Sequence, residues 1–159
     1  MIIGSGQVSS QEEQIQPTLQ KRAAILYGLA ALVSLIGLAD AIYLTVEHLS
    51  GRSVRCTIVK GCSEVLSSSY ASFNGMPLAS LGATAYFVVF SAATLAAFGY
   101  RGAGKLALLI SSLMFLFTLW LIYLQAFVIK AFCQFCLLSA LVTTVMTLLL
   151  VIVNRTRPQ

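Results

Sequence analysis

Residues 131–153 read AFCQFCLLSALVTTVMTLLLVIV, 23 positions without one charged side chain. A hydrocarbon core about 30 Å thick takes roughly 20 apolar residues of α-helix, so this run is of span length. Two cysteines, Cys133 and Cys136, stand at its start. Helical geometry puts positions i and i+3 on one face, so their sulfurs are neighbours and can form a disulfide. The free N–H groups and positive dipole end of a helix start stabilise a thiolate, so one of the two is expected to be reactive.

Working outward, three further runs have the same character: 23–45, interrupted only by Ser34, Asp40, Tyr27 and Tyr43; 79–99, entered through Pro77; and 106–128. The first is longer than the apolar region of a cleaved signal peptide and reads as a retained span. Arg101, Gly102, Gly104 and Lys105 form the expected turn before the third run. The fold class is therefore an all-α membrane protein, a bundle of four transmembrane helices. Composition agrees: of 159 residues, 58% are hydrophobic and 9% charged, with a mean hydropathy of +0.91, too few charges to cover a water-soluble fold. Four spans leave no room for a sizeable soluble domain. The net charge of +5 does not indicate nucleic acid, because the basic residues fall in the gaps between apolar runs rather than in one patch.

Residues 1–20 read as a polar, flexible tail, 21–154 as the membrane domain and 155–159 as a basic tail. The stretch 47–77 carries Arg52, Arg55, Lys60, Glu64, Gly61, Gly75 and a serine cluster, so it is an extramembrane loop. Within it Val65, Leu66, Tyr70 and Phe73 recur near helical spacing, which predicts a short amphipathic helix at the membrane interface.

Four spans place the 47–77 loop and the turn before Cys133 on the same side of the membrane. Lys21, Arg22, Arg101, Lys105, Arg155 and Arg157 lie on the other side, against Arg52, Arg55, Lys60 and Lys130 on the side of the cysteines. The positive-inside rule then predicts both termini in the cytoplasm and both cysteine pairs facing the periplasm, the exterior or the ER lumen, where disulfides persist. A sequon at Asn154, Arg155 and Thr156 would face the cytoplasm and stay unused.

Cys56 and Cys62 in the loop can bridge in the same way as Cys133 and Cys136. A mobile exposed pair and a pair at the membrane surface could exchange disulfides as a relay. The plainer alternatives are a structural staple in the loop and a passive pair in the helix. A four-thiolate zinc site suits neither the placement nor an oxidising compartment, so no metal is expected. Polar residues inside spans are costly and are candidates for function. Asp40 in the first span, Tyr86 in the second, and Tyr123 and Gln125 in the third fall at about the depth of the Cys133/Cys136 pair. Ordinary interfacial aromatics, an interhelical amide bond, and a backbone or Arg55 partner for Asp40 are the structural readings of the same residues. His48 reads as a surface residue. An apolar cavity carrying a dithiol at this depth could take a lipid-soluble electron carrier from the bilayer, a quinone being the obvious one. No dinucleotide, haem-attachment or phosphate-loop motif is present in the sequence.

These residues together resemble the vitamin K epoxide reductase family, in its bacterial form, over roughly residues 28–148. The resemblance rests on GLADAIYL at 37–44, Cys56 and Cys62, CSEVLSSSY at 62–70, Gly75-Met76-Pro77 with Gly82 and Tyr86, and CQFC at 133–136. It implies a four-helix bundle around a quinone of the ubiquinone, menaquinone or vitamin K type. By analogy Cys62 exchanges with a thioredoxin-like partner in the periplasm or lumen, Cys56 attacks Cys133, and Cys136 faces the quinone. Ser68 matches a family serine beside the active cysteines that helps hold the loop pair or the quinone site. The implied reaction oxidises a partner dithiol and reduces quinone, supporting disulfide formation in exported proteins, in a multi-pass protein of a bacterial inner membrane.

Two departures qualify the analogy. Bacterial relatives often carry a fifth helix and a fused thioredoxin-like domain, whereas this sequence ends at Gln159, which implies a partner in trans or a truncated chain. Vertebrate members have a tyrosine one turn beyond the CxxC pair where this chain has Ala140, which argues against epoxide reduction. The competing functions are a non-enzymatic membrane scaffold whose disulfides only staple the outer loop, and an epoxide or quinone reductase serving quinone recycling. The other four-helix quinone-linked family has its CxxC in the first outer loop, the reverse of the order here.

Overall fold

The computed structural model describes residues 5–51, 61–73 and 75–156. Its elements are α1 (Ser5–Leu49), α2 (Cys62–Ser67), the two-residue strands β1 (Ser72–Phe73) and β2 (Met76–Pro77), α3 (Leu78–Ala97), α4 (Arg101–Tyr123) with a π-helical continuation (Leu124–Ile129), and α5 (Gln134–Thr156). Among the described residues four helical segments are long and apolar enough to cross a membrane: Thr18–Leu49, Leu78–Ala97, Gly102–Ile129 and Gln134–Thr156. The chain is a multi-pass membrane protein built as a four-helix bundle.

Four boundaries differ from the sequence reading, one of them the last span, expected over 131–153 and found over Gln134–Thr156. Helix α1 begins at Ser5, so most of the expected flexible tail prolongs the first span. Gln and Glu are good helix formers, and extending an existing helix avoids the cost of nucleation. The turn between α3 and α4 is shorter than 101–105. Gly99, at φ +104°, reverses the chain while the N–H groups of Phe98, Gly99 and Tyr100 bond the carbonyls of Thr94, Ala96 and Leu95 at 3.1–3.2 Å. That satisfies the last carbonyls of α3 and lets α4 start at Arg101. The amphipathic segment is also shorter, ending at Ser67. The Ser68 N–H and hydroxyl both bond Val65 O, at 3.3 and 2.7 Å, and the chain then enters a hairpin pairing Ser72 with Pro77 and Phe73 with Met76. Gly75, at φ +84°, makes the reversal.

The long helices form a ring in which α1 packs on α3 and α5, and α4 on the same two, while the diagonal pairs make at most marginal contact. Lipid is as apolar as leucine, so helices in a membrane gain by close packing and not by hiding leucine. Accordingly Ala23, Ala30, Ala92, Ala96 and Ala107 are buried around Tyr27, Met146 and Leu150, while Ile25, Leu32, Phe87, Leu113 and Leu116 face outward. A Cβ at Gly104 would overlap the Tyr27 hydroxyl, so that glycine makes room for the Tyr27 side chain where it reaches across from α1. At this end the Asn154 amide donates to Leu150 O at 3.0 Å and Gly104 O at 3.4 Å, and Tyr27 bonds Asn154 Oδ1 at 3.4 Å. The expected idle sequon asparagine thus ties three helices together. The other end of the bundle holds a second cluster, in which Leu44, Cys62, Val65, Ala131 and Cys133 are buried together.

Candidate redox site

The site is built where the third span stops being a regular helix. From Leu124 to Ile129 the backbone takes π-helical bonds and Lys130 adopts a left-handed conformation, φ 54°, so the chain turns sharply within four residues before α5 begins. A π-turn adds one residue to a helical turn and re-aims the side chains it carries. Here it turns Gln125 inward: its Oε1 accepts the backbone N–H of Cys133 at 3.1 Å, and its side chain also bonds Cys136. Gln125 is 3% exposed.

Cys133 immediately precedes α5, and its carbonyl accepts the Leu137 N–H at 3.0 Å, so it sits at the N-cap. Its sulfur accepts the Cys136 S–H, the strongest influence on its ionisation, and the N–H groups of Cys136 and Phe135, as a capping oxygen would. These bonds outweigh burial and the nearby Asp40 charge and bring the Cys133 thiol down to about 7. Cys133 and Cys136 are both free thiols. Cys62 is disulfide-bonded, to neither of these two. At 1% exposure it is buried in the same cluster as Cys133, which is 0% exposed. The resemblance assigned Cys62 to an external partner; in this structure such a meeting requires the start of α2 to move. Cys56 lies outside the described residues, as does Arg55. Gly61 permits the close approach, since a Cβ there would stand 2.8 Å from Phe132 O.

Behind the thiols lies a cavity of about 370 Å³ with mainly apolar walls, within the range of small-molecule sites. Cys136 lines it, whereas Cys133 does not. Asp40, Leu44 and His48 contribute from one face of α1, being four residues apart, and Ser68 closes the cavity beside α2. The Tyr86 hydroxyl bonds Ser139 Oγ at 2.8 Å, Thr143 Oγ1 at 2.7 Å and Ser139 O at 3.1 Å. Gly37 makes room for that ring, because a Cβ there would overlap it. Asp40 Oδ2 is buried and without a hydrogen-bond partner, alone in this among the described buried side-chain polar atoms.

Of the residues singled out in the sequence, Asp40, Ser68, Tyr86, Gln125 and Cys136 meet at this cavity. Tyr123 does not: it is 55% exposed on the outer face of α4, its ring against Phe127 with centroids 5.0 Å apart. Two residues from Gln125 means about 200° around a helix, so the two cannot share a face. Polar lining residues that the sequence reading did not single out include Ser139, Thr143 and His48. Ser139 and Thr143 follow Cys136 at i+3 and i+7, a spacing that was available as a signal; His48, read as a surface residue, is half-buried at the cavity.

The sequence matches the vitamin K epoxide reductase family over residues 29–151. The chain belongs to that family. Comparison with curated proteins gives no match. Membership makes the chain an oxidoreductase of a membrane family that works on thiols and quinones in general, and it agrees with the four-span bundle and with a dithiol at a cavity inside it.

Proposed function

We propose that this protein is a quinone-dependent thiol–disulfide oxidoreductase, oxidising the dithiol of a thioredoxin-like partner in trans and supporting disulfide formation in exported proteins. The observation that carries the reading is the division of labour at α5: Cys136 faces the apolar cavity and Cys133, its hydrogen-bond partner, is buried in one cluster with the disulfide-bonded Cys62. In the reaction, the partner's dithiol reduces the Cys56/Cys62 disulfide by exchange. A loop cysteine then attacks the Cys133–Cys136 disulfide at Cys133, and Cys136 leaves as the thiol facing the cavity; the second loop cysteine displaces Cys133 from the mixed disulfide, so the loop disulfide re-forms and Cys133 and Cys136 are left as a dithiol. The dithiol so formed passes two electrons and two protons to a bound quinone, of the ubiquinone, menaquinone or vitamin K type, and returns to the disulfide. Cys133, held near neutrality as an N-cap thiolate, is matched to exchange at physiological pH. The cavity fits a quinone in size and apolarity. By the charge bias of the loops, the cysteine end faces the periplasm of a bacterial inner membrane, with both termini cytoplasmic.

The test is loss of quinone absorbance with purified protein in detergent and a small dithiol as reductant. Turnover that disappears in Cys136→Ser and survives in Cys56→Ser is expected, because a small reductant reaches Cys133 and Cys136 without the loop. No turnover with any quinone, in protein shown to be folded, would instead favour a scaffold whose disulfides only staple the loop.

A further inference from the structure

The dithiol reaction moves protons as well as electrons, and the cavity walls are mainly apolar, so a polar side chain in the wall is the short route for a proton between sulfur and oxygen. Most polar groups around it are already committed. The Tyr86 hydroxyl is shared with Ser139 and Thr143, Ser68 Oγ donates to Val65 O, and Gln125 Oε1 holds the Cys133 N–H. Asp40 differs. It is 9% exposed, it lines the same cavity as Cys136, and its Oδ2 has no partner. A buried polar atom left unsatisfied in a folded protein costs free energy and calls for a function. Its charge also bears on Cys133, which places it within electrostatic reach of the thiol pair.

We propose that Asp40 is the proton-transfer residue of the cavity, taking the proton from the Cys136 thiol and delivering it to an oxygen of the bound quinone. This rests on the quinone reading above and names a group for its chemical step. As the Cys133–Cys136 bond forms, the dithiol loses two electrons and two protons. The electrons go to the quinone. Asp40 accepts the Cys136 proton as a carboxylate and donates it to one ring oxygen as a carboxylic acid, ending unchanged. The Cys133 proton leaves to water and is replaced from water at the second oxygen, so dithiol plus quinone gives disulfide plus quinol. The titratable groups lining the cavity with Asp40 are His48 on α1 itself, Tyr70 after α2, Tyr86 on α3 and Cys136 on α5, with Cys133 behind it; the π-helical continuation of α4 presents the neutral Gln125.

The experiment mixes dithiol-reduced protein with short-chain ubiquinone and menaquinone analogues anaerobically in detergent, across pH, for the parent, Asp40→Asn and Asp40→Glu. Positioned proton transfer contributes on the order of 10²–10⁴-fold. Asp40→Asn is therefore expected to slow quinol formation at least 100-fold while disulfide exchange between the loop pair and Cys133 stays within twofold. Its pH dependence should flatten, whereas Asp40→Glu keeps a pH-dependent rate. Asp40→Glu should recover a tenth or more of the parent rate. Because Asp40 Oδ2 has no hydrogen bond to lose, the unfolding temperature of Asp40→Asn should hold or rise, which a structural role would not allow. Quinol formation by Asp40→Asn within threefold of the parent overturns the proposal, and so does a variant that fails to fold or that loses exchange and quinone reduction alike. A parent that reduces no quinone overturns the underlying reading instead.

Discussion

Replacing Gly61 with alanine should uncouple the loop from the membrane dithiol. The added Cβ would stand 2.8 Å from Phe132 O and 3.1 Å from both Phe132 N and Ala131 Cβ. Two of these three atoms are backbone, so the contact cannot be relieved by a side-chain rotation. The α2 start and the segment before α5 must separate by about half an ångström to reach ordinary van der Waals contact. Cys62 and Cys133 are the residues next to the two surfaces pushed apart, and both are buried in the same cluster. Exchange needs the attacking sulfur in line with the disulfide, and a misplacement of about 1 Å can cost on the order of 100-fold. A shift of half that size should slow exchange between the loop pair and Cys133 by about 10-fold. The overpacking itself should lower stability by about 1–3 kcal/mol. The assay is the rate at which Cys133 in Cys136→Ser is captured as a mixed disulfide with the loop, followed on non-reducing gels with and without Gly61→Ala. Direct reduction of the Cys133–Cys136 disulfide by a small dithiol should not slow, since the closure over it is loosened. Gly28→Ala is the control: a Cβ there meets nothing within 4 Å, and alanine in a helix is preferred by about 1 kcal/mol. Exchange in Gly61→Ala within twofold of Gly28→Ala would refute the reasoning.

Modification of Cys133 by a small thiosulfonate, followed by mass spectrometry, should rise with pH about a midpoint near 7 and fall away in acid as the thiolate is protonated. Since the Cys136 S–H bond is the strongest influence, Cys136→Ala should move that midpoint upward; an ordinary thiol midpoint in the unmodified chain would contradict the N-cap account. Gln125→Leu strands the buried Cys133 N–H and should cost about 1–3 kcal/mol in thermal unfolding in detergent, while Gln125→Glu keeps the acceptor and most of the stability. An unchanged Gln125→Leu would mean the π-turn positions nothing. Gly37→Ala should destabilise by about 1–3 kcal/mol through overlap with the Tyr86 ring. That cost should shrink in a Tyr86→Leu background, and strict additivity in the double-mutant cycle would show that the two do not meet.

The spans were legible because about 20 uninterrupted apolar residues have one stable arrangement in a bilayer. The cysteines were legible because the i, i+3 spacing at a helix start has chemical meaning. Which way each helix faces was not: spans are apolar all round, so Tyr123 and Gln125 looked alike although one meets lipid and the other Cys133. The π-turn and the left-handed Lys130 left no local signal either, since their backbone is set by the bonds that Gln125 and Cys133 make across eight residues. The early start of α1 and the short α2 follow from the same limit, because polar composition does not say whether a neighbouring helix will propagate into a segment or a turn will stop it.

The most direct test of the central claim is a single anaerobic turnover with stoichiometry. Protein with Cys133 and Cys136 reduced is mixed with one equivalent of quinone, then quenched with an alkylating agent, and quinol and the disulfide state are counted in the same sample. The account predicts one quinol for each Cys133–Cys136 disulfide formed, and neither in Cys136→Ser. Quinol without that disulfide, or the disulfide without quinol, would contradict it.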